Sequence, residues 1–130
     1  MKLSRFDSVT RAEAGVDFLL TDPVTKADGA AAITLYGADS AVHKGVRKEI
    51  EAHNKSLGRA PSTEEQEDQV NEILARCTKG WRGLLDDDGD EIPFSQAKAK
   101  EIYAAYPEFK DRVSVFIFTR TNFFGNASGN

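Results

Sequence analysis

The apolar positions change their period about a third of the way along the chain. Val16 to Thr21, following Gly15, reads VDFLLT and is strand-like. Asp22-Pro23 breaks it, Asp28-Gly29 supplies a turn signal, and Ala32 to Tyr36 (AITLY) alternates and is rich in β-formers. These stretches predict a β-hairpin over roughly 16–36. An isolated two-stranded hairpin is marginal in water, so it must pack on helices later in the chain or on another subunit.

After Gly37 the spacing becomes helical. Asp39 or Ser40 can cap a helix over roughly 41–55, whose apolar side carries Val42, Val46 and Ile50. Gly58 and Pro61 close it, and Ser62 with Glu65 offers a capping box for the next helix, roughly 63–80. Val70, Ile73, Leu74, Cys77 and Trp81 form its stripe, which places Trp81 in the core. Asp86 to Asp90 is a turn, and Ser95 opens a helix over roughly 95–106. The last element, roughly 108–124, is ambiguous. VSVFIFT suits a strand by propensity, whereas Phe109, Val113, Phe116, Ile117 and Phe124 fit a helix, and the longer window favours helix. The expected fold is α+β: an N-terminal β-hairpin packed on a mainly helical body of about four helices, in one domain over 1–130. Residues 1–14 read as a loosely ordered arm and 125–130 as a disordered tail.

Composition narrows the function. Seventeen Lys and Arg against 21 Asp and Glu leave a net charge of −4, which argues against a dedicated duplex-DNA binder. No apolar run suits a membrane span, and a single Cys permits no internal disulfide. Cys77 sits on the apolar stripe and reads as a small core residue, not a nucleophile. The run Asp86-Asp87-Asp88-Gly89-Asp90 invites a calcium loop. Aligning Gly89 with the EF-hand glycine, however, puts Leu84 and Ser95 at the terminal ligand positions, and both fail as anionic ligands. No phosphate loop, triad order or metal motif is present, so no enzyme activity and no cofactor or metal are expected.

Four short motifs give the second half its character: Gly80-Trp81, Asp88-Gly89, Ile92-Pro93-Phe94-Ser95 and Asn122-Phe123-Phe124. In this order, best from about Val70 onward, they resemble the tail assembly chaperones of long-tailed, non-contractile bacteriophages. Trp81, Gly89, Pro93 and Phe94 look like scaffold residues of that pattern. The resemblance implies a chaperone that coats the long, apolar, helical tape measure protein, keeps it soluble and helps recruit tail tube subunits. Such a protein works in the cytoplasm of the infected host and is absent from the finished virion. Family members are made in a short form and a longer, frameshifted form, which carries the tail tube contact; this chain looks like the short one. Self-association would serve the same task.

The aromatic load near the C-terminus is the remaining oddity. Phe109, Phe116, Phe118, Phe123 and Phe124 crowd one segment, and one helix face cannot bury them all. Phe118, Phe123 and Phe124 are therefore candidate partner-binding residues, with core closure as the competing reading. Two other roles stay open: a small phage nucleic-acid-binding regulator using Lys98, Lys100, Lys110, Arg112 and Arg120, or a structural tail connector subunit.

Overall fold

A computed structural model describes residues 1–125. The fold is α+β. Three antiparallel strands, β1 (Val16–Thr21), β2 (Asp28–Leu35) and β3 (Thr78–Arg82), lie in the order β1-β2-β3. Five helices accompany them: α1 (Val9–Ala14), α2 (Ala41–Ser56), α3 (Thr63–Arg76), α4 (Gln96–Ala105) and α5 (Pro107–Phe118). Short 3-10 turns occupy Leu3–Phe6 and Arg120–Phe123.

The hairpin forms where the alternation placed it. Register aligns Phe18 with Ile33 and Ile33 with Trp81, one row across all three strands. Side chains directly opposite share a face, and this face meets the helices. Ile33 and Leu35 join Leu74, Ala75 and Cys77 from the end of α3, Ala99 and Tyr103 from α4, and Val113 and Ile117 from α5. Phe18, Leu20 and Trp81 pack at the margin of this core.

The helix starts follow their capping residues. The Ser40 hydroxyl accepts the His43 amide. Ser62 and Glu65 form the reciprocal capping box, and the Ser95 hydroxyl accepts the Lys98 amide. The Glu65 carboxyl is pulled down to about 2 by the Arg59 guanidinium first, then by the Ser62 amide.

Three expectations are corrected. The third helix stops at Arg76, not near 80, and β3 replaces its last turn. Thr78 Oγ donates to the Leu74 carbonyl, taking an acceptor the shortened helix leaves open. Trp81 thus reaches the core margin from a strand, and Val70, at the start of the same stripe, is exposed. The last helix ends at Phe118. Thr119 Oγ and Asn122 Nδ2 donate to the Val115 and Phe116 carbonyls, after which the chain turns back on itself. Residues 1–14 carry a docked helix. Ala12 is fully buried, and its carbonyl accepts the Gly37 amide. The expected disordered tail lies outside the described residues apart from Gly125.

Candidate partner-binding site

Two of the four motifs meet at one indole. Trp81 Nε1 donates to the Ile92 carbonyl at 2.7 Å, and Phe94 packs edge-on to Trp81 at 4.9 Å. Between them, Leu85 bridges to Glu91, and the Asp86 carboxylate accepts the amides of Asp88 and Asp90. The Gly89 amide closes onto the Asp86 carbonyl. The acidic run is therefore a self-satisfied turn, with Gly89 at its tip and Pro93 exposed on the return limb. The Trp81 contacts to Ile92 and Phe94 fix the path of the 84–95 loop across the sheet margin. Among the described residues, no cluster of His, Cys, Asp and Glu is arranged to hold a metal ion. Burial pushes the Cys77 thiol up to about 12, so it is protonated at neutral pH.

That loop forms one wall of an apolar groove of about 620 Å³. Leu84 and Leu85 line it on one side, Leu20 and Pro23 on another, and Tyr106 and Phe109 at the α4–α5 corner. Leu85 is 58% exposed and Tyr106 62%. A second apolar depression continues from it along α5, over Phe18, Val115 and Phe116, and the two share Glu108 and Arg112. Glu108, Arg112 and Val115 recur at helical spacing, so the paired depressions follow about 10 Å of α5. Periodicity carries no signal for the groove, because its walls come from segments scattered between Leu20 and Arg112.

The three candidate rings separate. Phe123 is 2% exposed and sits edge-on to Phe116, so it closes the core and presents no surface. Phe124 is half-buried, with its ring edge-on to Phe6. Phe118 is 56% exposed and points away from the Phe116 side, as its register predicts. Its ring covers His43 at 5.2 Å.

His43 is almost fully buried, and among the described residues neither ring nitrogen has a hydrogen-bond partner. Burial, reinforced by Arg47 and only partly opposed by Asp39, holds its pKa below the ordinary histidine value. As pH falls through about 6.5 the unfolded chain takes the proton first, so stability present above that value is lost below it. Urea melts at about pH 7.5 and about pH 5.5 should show this loss in the wild type and a shallower one in His43→Leu. Equal slopes in the two proteins would refute it.

The basic residues near the C-terminus are mostly engaged. Lys98 pairs with Glu101, Lys100 with Asp68 and Glu72, Arg112 with Glu108, and Arg120 with Asp39. Arg120 and Ser8 together hold the Asp39 carboxyl below its usual range. These pairs offset much of the positive charge that these four residues bring to the C-terminal helices.

The chain is phage-derived. The sequence model of the family described as YdaY prophage protein matches residues 38–117, well over half of the chain, and the protein belongs to that family. The match runs from the start of α2 almost to the end of α5 and includes the Trp81 loop. No curated protein and no solved structure matches the chain. Among the described residues, no helix is long and apolar enough to cross a membrane.

Proposed function

We propose that this prophage protein is a tail assembly chaperone that binds and solubilises the tape measure protein. The observation that carries the proposal is the uncovered apolar groove beside α5, with Leu85, Tyr106 and Val115 exposed along it. Exposed apolar surface of this kind marks interaction sites. Membership of a prophage family and the motif order from Gly80 to Phe124 support the same role. The activity is non-enzymatic. Groove and α5 together cover apolar helical surface reversibly, and repeated weak contacts along one long partner add through effective concentration. Phe118 serves as a second contact point on the same helix. The protein acts in the host cytoplasm, leaves before the virion is complete, and meets tail tube subunits through a longer frameshifted form.

Co-expression with the tape measure protein of the same prophage provides the test. The wild type should raise its soluble yield severalfold, and Leu85→Ser with Tyr106→Ser should abolish the gain while thermal stability is unchanged. A tape measure protein that stays insoluble beside the wild-type chain, or the chain's recovery in purified virions, would overturn the proposal. The second result would favour the connector subunit.

A further inference from the structure

The groove is apolar within and acidic around its edge. The Asp-rich turn at 86–90 directly follows Leu84 and Leu85, while Asp22 and Glu108 stand among the lining residues. Asp111 borders the continuation along α5. The cation in the lining, Arg112, is engaged twice: its Nε donates to Glu108 at 2.7 Å and its Nη1 to the Thr21 carbonyl at 3.3 Å. Asp22 accepts the Val24 and Thr25 amides, which keeps it ionised. Lys26 acts on Asp22 and Arg112 on Glu108, so the excess negative charge of the rim comes from Asp111 and the four aspartates of the 86–90 turn. An anionic ligand would be repelled. A second copy of this chain is a poor occupant, because it brings the same net charge of −4. The two depressions run end to end along about two turns of α5, a length and direction suited to a helix laid in a groove.

We propose that this groove seats a cationic amphipathic helix, whose apolar anchors enter between Leu85 and Tyr106 while flanking Lys or Arg side chains meet the acidic rim. The inference rests on the chaperone reading and adds the chemistry of the bound segment. Opposite charge at the rim sets specificity and association rate, and the apolar anchors supply most of the affinity.

Two designed helical peptides with one leucine face are the probes, one flanked by lysines and the other by glutamates. Binding to the full chain is read by fluorescence anisotropy over a salt series. The lysine peptide should bind at least about tenfold tighter at low salt, with the margin shrinking as salt rises. Leu85→Ser with Tyr106→Ser should weaken it about tenfold, since buried anchors dominate such interfaces. Val70→Ser, an exposed apolar change on α3 outside the groove, should leave it unchanged. Equal binding of the two peptides, no binding of either, or indifference to the groove variant would overturn the proposal. Because these peptides contain no tape measure sequence, their result stands apart from the co-expression test. A groove variant that still solubilises the tape measure protein would sink the groove as the site and leave the chaperone role intact.

Discussion

Tyr103→Ala should destabilise the protein by about 3–5 kcal/mol, in the range of other large aromatic-to-Ala changes in cores. Tyr103 is 1% exposed and lies in the last turn of α4, where it meets the sheet, α3 and α5 in the same cluster. Its ring stacks on Phe109 at 5.7 Å, and its hydroxyl meets the Thr78 hydroxyl at 2.7 Å. Thr78 in turn donates to the Leu74 carbonyl, so one chain of hydrogen bonds ties α4 to the joint between α3 and β3. Removing the ring opens a cavity where these elements converge. A domain of this size holds roughly 5–15 kcal/mol of net stability, so the loss is a large share of the whole. Tyr103→Phe should cost only about 1 kcal/mol, because the Thr78 hydroxyl keeps its bond to Leu74. Urea melts of the three proteins settle the ordering. An Ala variant within about 1 kcal/mol of wild type would mean that the cluster collapses around the gap or that Tyr103 is not central to it.

Gly83→Ala should cost about 2–5 kcal/mol and distort the groove. Gly83 has φ +76, a conformation that disfavours side chains, and a Cβ there would overlap the Ala30 carbonyl oxygen and lie 3.0 Å from the Ala31 Cα. Both neighbours are backbone of β2 and cannot swing aside. Gly83 and these two alanines all line the groove, so relief comes only by moving its wall. Gly83→Asn separates the two causes. Asn tolerates positive φ but still carries a Cβ, so it should be nearly as damaging as Ala. Thermal melts and hydrogen exchange at the Ala30 and Ala31 amides would check this. Rescue by Asn would assign the penalty to backbone conformation and exclude the clash.

The legible parts of this chain were those governed by local chemistry. Ser40, Ser62 with Glu65, and Ser95 cap helices because hydroxyl and carboxylate satisfy first-turn amides, whatever the tertiary setting. The hairpin shows in its alternation. β3 was hidden because Cys77 and Trp81 are four apart and extend a helical stripe, while TKGWR has modest strand propensity. It becomes a strand because β2 offers an unpaired edge. In the opposite sense, VSVFIF is strand-like by composition yet helical. Pro107 presets the first turn of α5, and Val113 and Ile117 reach the core only at helical spacing. The groove and the fate of each Phe depended on placement. Phe118 is exposed as its register predicts, but Phe123 is buried because the helix stops at Thr119 and the chain folds back, and periodicity alone carries no sign of that stop.

The seat of α1 also sets an order of events during synthesis. Ala12 and the ring of Phe123 both close on Gly37, where a Cβ would come 2.7 Å from the Ala12 Cβ and 3.1 Å from the Phe123 ring. Arg11 reaches the Phe124 carbonyl across a separation of 113 residues. That side of the seat comes from the far end of the described chain. While the ribosome is still making the helical body, α1 has its contacts to Gly37, Ala41 and Lys79 but lacks the Phe123 side of its dock. Its closure is a late, non-local step that follows the emergence of Phe123, and such long-range contacts are slow to form.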